Sequence, residues 1–248
     1  MSAPAVILVR PQLGENIGAV ARAMSNFGLS ELRLVAPKNG WPNERAWDMA
    51  TSATGILDKA KLFKTTAEAM HGIHFALGTS ARLRGMEKPV CVPEEAARAL
   101  VQQAQRKKRT ALVFGPERTG LTNEDVVLCD GLITIPTSAE NPSLNLAQAA
   151  VILGYEWLKA VASCKLQVAS EVKSSATYNL QLATKQELQG YFDQLEAYLD
   201  EVNHFRTDDK KHVMWQNLRT IFIRAALNPQ EVRTLRGVAR ALYMRRKE

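Results

Sequence analysis

The sequence predicts an α/β fold, a mostly parallel sheet with helices on both faces, followed by a small all-helical extension. Through residues 1–160, short apolar runs alternate with helical patterns, and this alternation is typical of a parallel sheet covered by helices. Residues 163–183 are polar and have no clear period, whereas residues 184–248 carry only helical patterns. We therefore expect a domain at 1–162, a linker at 163–183 and a helical unit at 184–248.

The first domain divides into elements at residues that commonly begin or end them. Gly28 stands where a helix often closes with a left-handed glycine, and Pro37 ends the second strand. Pro93 and the two glutamates after it suit the first turn of a helix. The predicted strands are 5–9, 31–36, 74–79, 110–114 and 132–135, and the predicted helices are 16–27, 93–105 and 143–162.

Two helix starts are clearly marked in the C-terminal unit. Thr184 and Glu187 have the spacing of a capping box. Asn228, Pro229 and Glu231 form a second start, with a cap residue, a proline and an acid in the first turn. Apolar residues then recur every three or four positions, as on the buried face of a helix.

The composition is that of an ordinary globular protein. Its 248 residues are 46% hydrophobic, which suits one large domain or one domain with a small appendage. Cys91, Cys129 and Cys164 are too far apart along the chain to indicate a zinc site or a disulfide framework. No apolar run approaches the roughly 18 residues of a membrane span, so we expect a cytoplasmic protein without a membrane partner.

The net charge of +7 belongs to the C-terminal fifth of the chain. Residues 203–248 hold 11 lysines and arginines against four acidic residues, while the charges of the remaining chain cancel. An excess of this kind favours a polyanionic partner, although a solvated basic helix surface would have the same composition.

Ligands of an open parallel sheet bind beyond the carboxyl ends of the strands. Loops rich in glycine, proline and small polar residues follow the strands at 10–16, 78–82, 115–121 and 136–145. The first loop does not have the GxGxxG pattern of nicotinamide enzymes. The sequence also has no GKS/T phosphate loop, no serine-hydrolase elbow with a suitable histidine and no metal-binding motif, so no metal is expected.

Three ordered segments resemble the motifs of the SpoU branch of the SPOUT RNA 2′-O-methyltransferases. The first is ENIGAVARAM (15–24) with FGL (27–29), the second is FGPERTGLT (114–122), and the third is IP (135–136) followed by SLNL (143–146). The segments 218–227 and 235–238 are similar to the C-terminal helical extension of the TrmJ-type tRNA methyltransferases. The third motif differs from the family pattern, because Asn141 and Pro142 precede Ser143 where an aromatic residue is common.

This resemblance implies a fold, a reaction and a set of partners. The family fold ties the C-terminal part of its sheet domain into a deep trefoil knot, a rare exception to unknotted connectivity. The implied enzyme is a homodimer that moves a methyl group from S-adenosyl-L-methionine (SAM) to a ribose 2′-OH of tRNA, at cytidine or uridine 32 of the anticodon loop. Two alternatives remain open: the same reaction on rRNA, and a non-catalytic knotted RNA-binding protein. No DNA partner is expected.

The resemblance also assigns residues. SAM should contact main chain and small side chains at Thr79, Ser80, Ala81, Gly115, Ile135, Ser143, Leu144 and Asn145. Catalytic or hydrogen-bonding roles fall to Asn16, Arg22, Glu117 and Ser143. RNA contacts are expected from Arg22 and from the basic unit, through Arg219, Arg224, Arg233, Arg236 and Arg240.

Arg22 matches the catalytic arginine of the family. Since an arginine is almost always protonated, it acts as a base only with help, for example from a substrate phosphate. We favour orientation and electrostatic stabilisation of the reacting oxygen, and the base role stays open. Glu117 has a second possible role, because a carboxylate at that position also suits bracing of the turn through backbone N–H groups.

Overall fold

The structure, a computed structural model, describes residues 1–80, 88–170, 182–205 and 208–245. Its sheet has seven strands in the order β3-β2-β1-β6-β4-β7-β5, and every pairing is parallel. Helices cover both faces, so the predicted α/β class and the parallel sheet are confirmed. None of the described helices is long and apolar enough to cross a membrane.

The elements of the described chain alternate through the first domain and are helical after it. The strands are β1 (Ala5–Val9), β2 (Leu32–Val35), β3 (Lys61–Phe63), β4 (Phe75–Thr79), β5 (Val90–Cys91), β6 (Thr110–Phe114) and β7 (Gly131–Ile133). The helices of the sheet domain are α1 (Gly14–Asn26), α2 (Glu44–Ala50), α3 (Thr54–Asp58), α4 (Thr66–Ala69), α5 (Pro93–Gln105), α6 (Asn123–Val127) and α7 (Leu146–Ser170). The C-terminal helices are α8 (Lys185–Glu201), α9 (Asp208–Arg224) and α10 (Pro229–Arg245).

The strongly periodic elements lie where the sequence predicts them, and the short ones were not predicted. The expected helix 143–162 begins three residues later and runs on to Ser170, so the first eight residues of the expected linker are helical. Residues 171–181 of that linker lie outside the described residues. The elements not predicted from the sequence are β3, β5, α2, α3, α4 and α6, whose two to seven residues are too few to establish a period.

Two apolar layers hold the sheet domain together. Alternate strand residues such as Val6, Leu8 and Leu112 pack against α1, α5 and α7 on one face. Their neighbours Ile7 and Val113 point the other way and pack against α4 and α6. Both layers are almost fully buried, as expected for a parallel sheet with helices on each side.

The C-terminal helices begin at the amino edge of the sheet. The capping box of Thr184 and Glu187 starts α8 as predicted. At the next position, the backbone N–H of Lys185 donates to Ile73 O over 2.9 Å, and its ammonium lies 2.7 Å from both carboxylate oxygens of Asp130. Asp130 also accepts the backbone N–H of Ala76, the second residue of β4, over 2.7 Å. A third apolar cluster, which includes Val127 of α6 and Phe192 of α8, packs the helices on one another and on the sheet domain.

Candidate active site

A cavity of about 180 Å³ opens at the carboxyl edge of the sheet. The loops after β4, β6 and β7 and the start of α7 form its walls, so it lies where the sequence analysis expects a ligand. The lining consists mostly of main chain, small residues and apolar side chains, namely Thr79, Ser80, Phe114, Gly115, Pro116, Glu117, Arg118, Thr119, Gly120, Ile133, Ile135, Pro142, Ser143, Leu144, Leu146 and Ala149. A ligand larger than the cavity would extend over its open rim.

Most of the expected cofactor residues line this cavity. They are Thr79, Ser80, Gly115, Ile135, Ser143 and Leu144. Asn145 lies next to the lining residues, at the start of α7, and Ala81 lies outside the described residues. Pro142, which departs from the family pattern, is itself part of the wall. Gly120 lines the cavity in the loop 115–121, where a ligand is expected from the sequence, whereas Arg118 and Thr119 of the same loop were not singled out.

Glu117 joins the loop after β6 to the loop after β1. Its carboxylate accepts the backbone N–H groups of Gln12 and Leu13 over 2.9 and 3.3 Å, and the side-chain amide of Asn16 over 2.8 Å. The bracing role of Glu117 is therefore present in the structure. Because Glu117 also lines the cavity, the same three bonds fix its orientation towards a ligand.

Asn145 continues this chain of hydrogen bonds into the third loop. Its side-chain amide donates to Oδ1 of Asn16 over 3.0 Å, and its own Oδ1 accepts the backbone N–H of Ala147 over 2.8 Å at the start of α7. Glu117, Asn16 and Asn145 thus form one connected line, which we call the Glu117–Asn16–Asn145 chain. It ties the loop that follows β1 to two loops that lie 101 and 129 residues further along the chain.

Gly115 is required by the close packing of the loop that it begins. A Cβ added at this position would lie 2.2 Å from the backbone nitrogen of Leu121. Any side chain would therefore push the Pro116–Gly120 turn away from the strand and change the shape of the cavity.

Arg22 lies apart from the cavity within one chain. It is exposed on α1, and it makes no hydrogen bond or ion pair with the described residues. It follows Asn16 by six residues, which is about 9 Å along the helix axis and a different side of the helix. The structure therefore brings Asn16, Glu117 and Ser143 to the cavity region but leaves Arg22 outside it.

A buried carboxylate anchors the loop after β1, and the sequence analysis did not single it out. Asp125 accepts hydrogen bonds from the guanidinium of Arg10, from Thr66 Oγ1 over 2.6 Å, and from both the backbone and hydroxyl of Thr122. Burial by itself would raise the pKa of Asp125, but the hydrogen bonds from Arg10, Thr66 and Thr122 outweigh it and hold the pKa below its ordinary value. The signal in the sequence was the capping-box spacing of Thr122 and Asp125.

The arginines of the C-terminal unit fall into two groups. Arg224, Arg233, Arg236 and Arg240 are exposed. Arg219 is half-buried instead: its guanidinium lies 5.1 Å from the centre of the Phe192 ring and donates to Gln189 over 2.9 Å. Burial lowers the pKa of Arg219. Its contacts are those of a packing residue, so of the six expected RNA-binding arginines it is the least available to a phosphate.

Comparison with known proteins assigns both parts of the chain. Residues 3–155 match the SpoU rRNA Methylase family, and residues 186–248 match the C-terminal domain of the tRNA methyltransferase TrmJ. The first match covers the strands, the cavity and the Glu117–Asn16–Asn145 chain, and the second covers α8 to α10.

Relatives of similar length resemble the chain throughout. The tRNA (cytidine/uridine/adenosine-2′-O-)-methyltransferase TrmJ of Pseudomonas aeruginosa is 38% identical over 237 residues, which are 94% of this chain and 91% of that protein. The tRNA (cytidine/uridine-2′-O-)-methyltransferase TrmJ of Pectobacterium atrosepticum is 34% identical over 94% of this chain and 93% of its own. The crystal structure of TrmJ from Z. mobilis superposes with a TM-score of 0.87 at 41% identity, over 97% of this chain and 99% of that one.

Proposed function

Because the chain belongs to the SpoU methylase family and is a methyltransferase of that family, we propose that it methylates a ribose 2′-OH of tRNA. The methyl donor is SAM, and the target is cytidine or uridine 32 in the anticodon loop. The observation that carries the proposal is the Glu117–Asn16–Asn145 chain, since it joins one residue from each of the three family motifs beside a single cavity.

The cavity suits SAM by its chemistry. Main chain and small side chains at Thr79, Ser80 and Gly115 can approach a polar ligand closely, while Ile135 and Leu144 offer an apolar wall. When bound, SAM supplies an electrophilic methyl group to the reaction. We propose that Ser143 and the Glu117 carboxylate, which both line the cavity, hydrogen-bond the ribose that carries the nucleophile.

A ribose 2′-OH is a weak nucleophile: its O–H bond must break as the oxygen forms its bond to the methyl carbon, and we assign the released proton to solvent water. We propose that Arg22 binds the substrate phosphate and stabilises the negative charge that develops on the attacking oxygen. Since Arg22 is exposed and lies apart from the cavity of its own chain, we propose that it serves a site completed by a second copy of the chain. The homodimer, the trefoil knot and the division into domains at 1–162, 163–183 and 184–248 belong to the same proposal. So do the cytoplasmic location and the binding of tRNA phosphates by the exposed arginines of the C-terminal unit.

A set of deoxy-substituted tRNAs tests the reaction. A transcript with a single 2′-deoxynucleotide at position 32 should still bind, because phosphate contacts supply most of the affinity, but it should accept no methyl group from labelled SAM. A deoxynucleotide at a neighbouring position is the matched control and should have a much smaller effect.

Each other outcome of this assay selects a different function. Methylation of the position-32 deoxy transcript at the wild-type rate would exclude that ribose as the acceptor. Mapping of the label would then identify a different nucleotide or a base. Methylation of rRNA but not tRNA would select the rRNA alternative, and SAM binding without methylation of either RNA would select the non-catalytic one.

A further inference from the structure

Four cationic side chains follow four adjacent strands at the carboxyl edge of the sheet. Lys64 follows β3, Lys38 lies in the loop after β2, Arg10 follows β1, and Arg118 lies in the loop after β6. We propose that this set, the basic edge, binds the phosphate backbone of the RNA next to the target nucleotide. The inference rests on the proposed function, because it presupposes an RNA substrate.

The register of the strands aligns the points at which the four loops leave the sheet. Val9 pairs with Val35, and Val35 with Phe63, so the residues after each of them leave the sheet along one line. Arg10 N donates to Val35 O over 2.8 Å, and Lys38 N donates to Pro11 O over 3.0 Å, which fastens the first two loops to each other. Neighbouring strands are about 4.8 Å apart, so the four strands span roughly 14 Å, longer than one nucleotide.

Arg10 is held in place while part of it faces solvent. Its backbone has a φ of 46°, in the left-handed region that few side chains adopt, at the point where the chain leaves β1. Its guanidinium is paired with Asp125, which is 4% exposed, yet the Arg10 side chain itself is 39% exposed. A guanidinium fixed on one side has N–H groups left for a phosphate, and little side-chain entropy is lost when a phosphate binds.

The other three cations are exposed and make no ion pair or side-chain hydrogen bond with the part of the chain that the structure describes. Glu68 and Glu117 form no ion pair with these cations and bond to neutral amides instead. Glu68 accepts the backbone N–H of Lys64 over 2.9 Å, and Glu117 accepts the backbone N–H groups of Gln12 and Leu13 and the side-chain amide of Asn16. Lys38, Lys64 and Arg118 therefore have no ion-pair partner among the described residues, and their charges are available to a phosphate.

The position of the basic edge makes RNA the fitting partner. Arg118 is itself a wall of the cavity, so the basic edge continues from the proposed site of methyl transfer. The C-terminal unit is attached at the opposite, amino edge through Lys185 and Asp130, and none of its described residues lines the cavity. The strongly basic unit of the same chain is therefore not adjacent to the reacting ribose, and the phosphates beside it need a different set of contacts.

A matched pair of double variants tests the basic edge in the full-length protein. Lys38→Ala with Lys64→Ala removes two cations of the edge and leaves the residues of the cavity untouched. The control, Lys59→Ala with Lys107→Ala, removes two exposed lysines that precede β3 and β6 at the amino edge, with the same change of charge. For each variant, tRNA affinity is measured over a range of salt concentrations, together with SAM affinity and methyl transfer at saturating tRNA.

We expect the edge variant to bind tRNA at least roughly fivefold more weakly at low salt. The slope of log K against log salt concentration should be smaller in magnitude by about 1.8, since each of the two lost phosphate contacts contributes about 0.9 to it. SAM affinity and the rate at saturating tRNA should match those of the control. An edge variant that binds tRNA with the affinity and salt slope of the control would overturn the basic edge but leave the proposed function intact. Failure of the proposed function would appear separately, as a wild-type protein that neither binds nor methylates tRNA.

Discussion

Two carboxylate side chains of the sheet domain are held in fixed orientations by hydrogen bonds. Glu117 and Asp125 are both carboxylates with several donors around them, and each holds a loop in one conformation before any ligand binds. Such preorganisation is valuable in methyl transfer, where the attacking oxygen and the methyl group must meet in line. Arg22 is the contrasting case, because nothing in the described chain holds it.

Substitution of Arg22 should therefore affect turnover and spare cofactor binding. Arg22→Ala should lose roughly 10²-fold or more in methyl transfer, as expected for a group that acts in the transition state, while SAM affinity stays within experimental error. Arg22→Lys should recover only part of the rate, since an ammonium lacks the planar fork of a guanidinium. Calorimetry with SAM and single-turnover methylation of tRNA measure the two effects, and near-normal turnover of Arg22→Ala would remove the residue from the mechanism.

The burial of Lys88 leads to a prediction about the stability of the protein rather than its activity. Its ammonium is buried and donates to the backbone oxygens of Val127 and Cys129. Burial lowers its pKa from 10.5 to about 8. Between these two values the unfolded chain binds more protons at this site than the folded chain, so the contribution of Lys88 to stability rises with pH.

The free energy of unfolding, compared between wild type and Lys88→Met, isolates that contribution. The difference should shift in favour of the wild type by about 2 kcal/mol between about pH 7.5 and about pH 10, at 1.4 kcal/mol per unit of pKa shift. Lys107→Met, at an exposed lysine, should show no such shift. Urea unfolding at the two pH values measures it, and a pH-independent difference for Lys88→Met would mean that this lysine keeps an ordinary pKa in the folded protein.

At the scale of elements, the site is built from loops that belong to neighbouring strands. β6 pairs with β1 on one side and β4 on the other, although 100 residues separate β1 from β6 along the chain. Because β6 lies between β1 and β4, the loop that carries Glu117 contacts the segment that carries Asn16. The cavity therefore depends on contacts between elements more than on any one of them.

Glu117→Gln tests how strongly this contact holds the loops. A glutamine amide would face the N–H donors of Gln12, Leu13 and Asn16 with one acceptor oxygen in place of two. We expect a loss of roughly 1–3 kcal/mol in the free energy of unfolding, the cost of leaving partly buried donors without an acceptor, and a fall in turnover. Glu124→Gln, at an exposed acid of α6, is the control; equal stability of the two variants would show that Glu117 does not brace the loops.

At the scale of the whole molecule, the excess of positive charge and the cavity are separated. The net charge of +7 belongs to residues 203–248, whereas the cavity lies in the sheet domain and at the edge opposite the start of α8. Under the proposed function, the exposed arginines of the C-terminal unit are therefore available to a part of the tRNA remote from the ribose that reacts at the cavity of the same chain.

Removal of the C-terminal unit should separate the two activities. A chain ending at Ser170, where α7 ends, should keep SAM binding, because the described lining of the cavity lies entirely before that residue. It should lose much of its tRNA affinity, and the salt dependence of binding should become shallower. Calorimetry and binding titrations measure both, and thermal unfolding shows whether the chain is folded without the contacts of Lys185 and Phe192. An unchanged salt slope would contradict the role of the basic unit, and loss of SAM binding in a folded chain would contradict the separation.

The sequence by itself determined the α/β class, the long helices with their caps, the loops that form the cavity and the excess of charge at the C-terminus. Each of these follows from a local pattern: a period, a cap residue, or a motif within a few residues. The left-handed Gly28 and the helix starts at Thr184 and Asn228 are examples, since their hydrogen bonds join residues only a few positions apart.

Tertiary structure alone decided the order of the strands, the contact of Glu117 with Asn16, the anchoring of Arg10 by Asp125, the burial of Arg219 and the basic edge. Each of these depends on which distant segments lie side by side. A hydrophobic period indicates that one face of an element is buried, but it does not identify the element that packs on that face. Strand order is set by the packing of the whole sheet and its crossovers. For the same reason Arg118, Lys38 and Lys64 are three separate loop residues in the sequence, and only the parallel register of β3, β2, β1 and β6 brings them, with Arg10, onto one edge.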